Sequence, residues 1–184
     1  MEEVYDFIGR DIAMKICNMF YFNNVGEKGY AGTPDEPYSR LPGRSRLAYS
    51  LFNENSGIGW SCQYEQGECI AVELQFGGGC RAIVDDDNQL VIAIGARPPM
   101  IVWPKDAAVF DPDGSLNHVI DLPDFVEHDF NGCAERFKVD GFTDVRLESN
   151  KVVIGIRFAH DWFQSRIYDA VTKQWVEVIA VGRI

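Results

Sequence analysis

Two different periods run through this chain, and they divide it. In the first segment Val4, Ile8, Ile12, Ile16 and Phe20 recur every four residues, with Phe7 and Met19 beside them. Asp6, Arg10, Asp11 and Lys15 lie largely off that stripe. The spacing predicts an amphipathic helix over residues 1–22, weakened by Gly9 and stopped by Asn23, Asn24 and Gly26. Such a helix is expected to cover one side of a sheet. Residues 23–46 carry no period. Glycines 26, 29, 32 and 43 and prolines 34, 37 and 42 punctuate them, so an irregular loop or arm is predicted, with Arg40, Arg44 and Arg46 as its local positive charge.

From about residue 47 the period is two. Ile70, Val72, Leu74 and Phe76 alternate with polar Glu73 and Gln75; Leu90, Ile92 and Ile94 alternate with Val91 and Ala93; Val152, Ile154, Ile156 and Phe158 repeat the form. Turn formers separate these runs, among them Gln66-Gly67, Asp85-Asp86-Asp87-Asn88, Asp111-Pro112-Asp113-Gly114 and Thr172-Lys173-Gln174. The intervals are too short for helical crossovers, which excludes a parallel α/β sheet. The expected fold is mainly β (α+β): an N-terminal helix, then an antiparallel β-meander arranged as a sandwich, a barrel or a propeller-like stack of hairpins. Residues 151–178 resemble one three-stranded propeller blade, with strands near 152–158, 162–169 and 175–181. A length of 184 residues suits a single domain over 1–184, with residues 47–184 as its β-rich body.

Charge narrows the function more than composition does. Twenty-eight acids against 17 bases give a net charge of −11. That field repels nucleic-acid phosphate and anionic membrane and attracts cationic proteins. The five cysteines, 17, 62, 69, 80 and 133, form an odd set without C-x-x-C spacing, as expected of reduced thiols in the cytoplasm. Met-Glu-Glu, with Arg10 and Lys15 close behind, predicts neither a signal peptide nor a membrane anchor.

Candidate chemistry is sparse. His128-Asp129 and His160-Asp161 place a carboxylate beside an imidazole, but adjacent strand residues point to opposite faces, so neither is expected to work as a pair. His118 stands alone. Asp111-Pro112-Asp113-Gly114 opens like a calcium loop yet lacks the later ligands and reads as a plain turn. Cys62 and Cys69 flank an expected hairpin without two further zinc ligands. Gly77-Gly78-Gly79 is followed by a strand, not by the helix and lysine of a phosphate loop. No catalytic residue, metal or cofactor is assigned.

One regional asymmetry remains. Between Ala107 and Glu148 ten acids face three bases, Arg136, Lys138 and Arg146, leaving −7, most of the excess of the whole chain. Five phenylalanines, 110, 125, 130, 137 and 142, are interleaved. One account is a solvated face over a phenylalanine core. The other is a partner-binding patch of Asp111, Asp113, Asp121, Asp124, Glu127 and Asp129, anchored by Phe125 and Phe130.

In size, acidity, this patch and its lack of catalytic motifs, the chain resembles immunity proteins of bacterial contact-dependent growth inhibition systems. The resemblance implies a cytoplasmic, non-enzymatic protein that neutralises a cationic toxin domain, often a nuclease, without itself touching nucleic acid or membrane. Two other classes compete. One is a small β-rich hydrolase or isomerase with a His/Trp pocket, which would lose a pH-dependent activity with His128 or His160. The other is an adaptor module of a larger assembly.

Overall fold

The computed structural model describes residues 14–23, 26, 28–30, 57–64, 67, 69–76, 80–95, 107–129 and 132–183. Within them the chain is β throughout, in antiparallel sheets that include a curled half-barrel. The first sheet holds β1 (Met14–Phe22), β2 (Lys28–Tyr30), β3 (Gly57–Tyr64) and β4 (Cys69–Gln75) in the order β2-β1-β3-β4. The second runs in sequence order through β5 (Arg81–Asp85), β6 (Leu90–Ile94), β7 (Ala107–Phe110) and β8 (Leu116–Val119). The third holds β9 (Phe125–Asp129), β10 (Ala134–Glu148), β11 (Lys151–Phe158), β12 (Trp162–Asp169) and β13 (Gln174–Arg183), with β9 and β13 at its edges.

The second sheet lies between the other two, and the alternation of its strands explains how. Ala82, Val91, Ala93, Ala108 and Phe110 turn toward Ile16, Tyr21, Ile58, Trp60 and Val72 of the first sheet. Leu90, Ile92, Ile94, Ala107 and Val109 turn the other way, toward Val145, Val152, Ile154 and Tyr168 of the third. A strand buried on both faces has no polar side, which is why Leu90–Ile94 reads as an unbroken apolar run. Polar ties join the layers as well. The Tyr21 hydroxyl donates to the Ala82 carbonyl at 3.2 Å and accepts from the Ala82 N–H at 3.1 Å.

The expected N-terminal helix is corrected over its second half, where Met14–Phe22 is a strand. The apolar stripe is divided in the strand, where Ile16, Met19 and Tyr21 join one core cluster and the register shift turns Phe20 to the other face. Pairing with β3 decides the matter. Ile16 sits opposite Cys62 and Phe20 opposite Gly59, and the register shifts between Cys17 and Phe20, where Asn18 takes φ 51°. A side chain at Gly59 would collide with the Phe20 ring and the Val72 carbonyl, so the bare backbone there lets the ring lie across β3. Val4, Phe7, Ile8 and Ile12 lie outside the described residues. Of the irregular arm expected over 23–46, Lys28–Tyr30 is instead a strand paired with Phe20–Phe22, and Arg40, Arg44 and Arg46 fall outside the described residues.

The C-terminal strands lie where the alternation puts them, with β11, β12 and β13 joined as consecutive antiparallel neighbours. They form no separate blade, because β10 and β9 extend the same sheet. The 15-residue β10 serves two partners. Its first third, 134–138, pairs with β9, and residues 139–148 pair with β11. Register shifts at residues 139–141 and 142–145 bend it between the two.

Candidate functional site

The acidic stretch begins at the β7–β8 turn. Asp111 and Asp113 close this turn by accepting from their own neighbours. Asp113 takes both the N–H and the hydroxyl of Ser115, at 2.9 and 2.7 Å, and Asp111 takes the Asn117 amide at 2.7 Å. The Ser115 hydroxyl, with its N–H behind it, holds the Asp113 carboxyl below the usual carboxylate range. The turn is also fastened to the first sheet. The fully buried Trp60 indole donates to the Pro112 carbonyl at 2.7 Å, and Gly114, at φ 87°, faces Val72. Asp-Pro-Asp-Gly is thus a structural corner. Its carboxylates are occupied by donors of the same turn.

The rest of the patch follows β8. Asp121 and Asp124 are exposed on the connection to β9, which is anchored where the Trp175 indole donates to the Asp121 carbonyl at 3.1 Å. On β9 the period of two separates the side chains. Val126 and His128 turn inward, while Phe125, Glu127 and Asp129 turn out. Strand residues 116–119, spanning about 13 Å at roughly 3.3 Å per residue, run between the corner and the connection to β9. Register then brings bases onto the same outer face. Arg136 lies opposite Glu127 and Lys138 opposite Phe125. The Arg136 guanidinium sits 4.5 Å from the Phe125 ring centroid, and its Nε is 3.6 Å from Glu127. Both partners of that ion pair are about two-thirds exposed, so it is worth no more than about 1 kcal/mol. Asp129 accepts the Gly132 N–H and shapes the turn into β10.

Of the interleaved phenylalanines, Phe125 is 48% exposed and available as an anchor. Phe110 is core, Phe137 and Phe142 pack against the interior clusters, and Phe130 lies outside the described residues. The structure puts Phe125, Glu127 and Asp129 on one face of β9, with Asp121 and Asp124 exposed on the connection before it and Asp111 and Asp113 in the β7–β8 turn.

A second constellation has no signature in the sequence. His118 on β8 and Tyr168 on β12 are 50 positions apart, and packing of the second sheet on the third puts His118 Nε2 at 2.8 Å from the Tyr168 hydroxyl. His118 Nδ1 lies 2.8 Å from Asn117 Oδ1. Because the Asn117 amide donates to Asp111, its oxygen faces the ring and requires a proton on Nδ1, leaving Nε2 to accept from Tyr168. The chain of donors runs Tyr168, His118, Asn117, Asp111, from the interior to the surface. Burial holds the His118 imidazole below its ordinary pKa, with Lys173 acting the same way against a smaller opposing effect of Asp111. Burial also pushes the Tyr168 phenol up to about 12, reinforced by Asp121 and Asp169. Trp175 closes the group edge-on, 5.0 Å from Tyr168 between ring centroids.

His128 and Trp162 do come together, with ring centroids 5.3 Å apart, and the Phe158 ring lies 5.9 Å from the imidazole. His160 is exposed in the β11–β12 turn at φ 66°, beside the Asp161–Arg183 ion pair. All five cysteines are free. Cys62 pairs with Ile70, and Cys69 with Gln63, so the two thiols lie on opposite faces of the β3–β4 hairpin. Among the described residues, no group of three or more His, Cys, Asp or Glu side chains is placed to hold a metal ion, and no helix is long and apolar enough to cross a membrane. No family model, curated protein or solved structure matches the chain.

Proposed function

We propose that this chain is a binding protein for a cationic protein domain, of the immunity type that neutralises a nuclease toxin, and that it docks through the surface built by residues 121–129. The observation that carries the reading is the outward row Phe125, Glu127 and Asp129 on an edge strand, with Asp121 and Asp124 exposed immediately before it. A nuclease presents cationic groups to phosphate, and carboxylates in a row meet the same groups. The field of a chain with net charge −11 accelerates the encounter, and the half-exposed Phe125 ring supplies the apolar contact that slows dissociation. Asp111 and Asp113 contribute to the field and hold the β7–β8 corner; the docking row itself is 121–129.

The test starts from the natural partner, recovered on the immobilised full chain and assayed for nuclease activity with and without this protein. Inhibition is expected. Asp121→Lys, Asp124→Lys and Glu127→Lys together should slow association by about tenfold to a hundredfold and flatten its salt dependence. Asp129 is left intact because it shapes the adjoining turn. An unchanged association rate and salt slope would remove this surface from the interface, and a partner without a cationic face would remove the whole reading.

A further inference from the structure

We propose that one face of the third sheet, where β12 meets β13, binds an aliphatic monocarboxylate, with Arg166 as the group that holds the carboxylate. Register places the side chains. Arg166 lies between Ile154 of β11 and Val178 of β13, and in the next row Gln164 lies between Ile156 and Val181. Alternation along β12 puts Arg166 on the same face as Tyr168, which packs toward the second sheet. Ile154 and Ile156, at the inner ends of these rows, are fully buried, whereas Val178 and Val181 at the outer ends are 44% and 37% exposed. Arg166 stands half-buried at the boundary.

A guanidinium in that position is costly without an anion. The buried Gln164 side chain accepts from Arg166 Nε, which fixes the plane of the group and leaves both terminal nitrogens to a ligand. Among the described residues no carboxylate lies within ion-pair distance of Arg166. Burial pushes the guanidinium below its ordinary pKa, and no acid acts against that effect. Arg146, half-buried on the opposite face of the same sheet, shows the contrast: Asp144 and Glu148 each meet it at 2.6 Å. The terminal nitrogens of Arg166 offer two parallel donors, the pattern that one carboxylate accepts. Val178 and Val181 beside them offer apolar surface to a hydrocarbon chain. A single charge is what the site can match, because Arg183, the base opposite Trp162 on this face, is tied to Asp161. The net charge of −11 also repels multivalent anions more strongly than a monoanion.

Octanoate titrated into the isotope-labelled full chain, followed by amide NMR, tests the site directly. Saturable shifts are expected at Arg166, Val178 and Val181, with a Kd below about 1 mM. Octan-1-ol keeps the chain and lacks the charge, and inorganic phosphate has charge without a chain; each should bind at least about tenfold more weakly. Arg166→Gln should weaken octanoate at least about tenfold with an unchanged circular dichroism spectrum. If that variant unfolds, the comparison of octanoate with octan-1-ol on the natural chain decides. Absence of saturation by about 10 mM octanoate would overturn the proposal. So would shifts confined to other strands, octan-1-ol or phosphate binding as tightly as octanoate, or a folded Arg166→Gln variant that binds octanoate unchanged.

Discussion

The contact between His118 and Tyr168 joins two sheets through one hydrogen bond, so its strength can be worked from the structure. Tyr168 is 4% exposed and its hydroxyl lies 2.8 Å from Nε2. Tyr168→Phe removes the donor and leaves a half-buried ring nitrogen without it; His118→Leu leaves the buried hydroxyl without its acceptor. A net hydrogen bond contributes about 1 kcal/mol, and an orphaned buried group costs about 1–3 kcal/mol, so each single variant should lose about 1–3 kcal/mol. The double variant removes both polar groups together and should lose less than the sum by about 1–2 kcal/mol. The other partner of His118, Asn117, is lost in both arms that carry His118→Leu and cancels from the cycle. Urea unfolding followed by tryptophan fluorescence at pH 7.5 supplies the four free energies. Additivity within about 0.5 kcal/mol would refute the inference that this bond is formed.

The same residue fixes a pH window. The folded pKa of His118 lies below its ordinary 6.5, so the folded state takes up a proton less readily than the unfolded chain. Stability from this group is complete above pH 6.5 and declines as the pH falls below it through the folded value. The decline should be smaller in His118→Leu. The Asp113 and Asp169 carboxyls are held low by donors of their own turns, and their contribution is lost only below the ordinary carboxylate value of 3.8. The two effects therefore occupy different parts of a stability–pH curve. Loss between pH 6.5 and 5 that is identical in wild type and His118→Leu would contradict the assignment to His118.

Three further outcomes follow from named contacts. Gly114→Ala places a methyl group 2.5 Å from Val72 Cγ1 at φ 87°, and should cost about 2–4 kcal/mol by chemical denaturation, with part of the loss recovered by Val72→Ala; equal costs in both backgrounds would contradict the clash. Trp60→Phe removes the indole that holds the Pro112 carbonyl inside the first layer and should cost about 2–4 kcal/mol, read as a lowered urea midpoint. Arg136→Gln removes the base beside Glu127 and Phe125, so it should change stability by less than about 1 kcal/mol yet speed association with the cationic partner; slower association would count against the 121–129 surface.

The alternation of side chains determined much of this protein by itself. A period of two is a local property, and it fixes which residues of β4, β6 and β11 face together before any partner is known. Gln66-Gly67, Asp85–Asn88, Asp111–Gly114 and Thr172–Gln174 likewise specify turns through their own backbone preferences. Acidity is a sum over residues and needs no fold. Tertiary structure decided whatever depends on who lies opposite. The four-residue repeat spelled a helix, and pairing with β3 made Met14–Phe22 a strand whose bulge turns Ile16 and Phe20 to opposite faces. Runs buried on one face or two look similar, and stacking placed β5–β8 between two layers. Contiguity in sequence made Asp111 to Asp129 seem one patch; only the folded chain shows that Asp111 and Asp113 accept from Asn117 and Ser115 and that register sets Arg136 against Glu127. His118 met Tyr168 by the same route: a contact spanning 50 positions leaves no trace in either neighbourhood, because only the packing of one sheet on another brings the two side chains within reach.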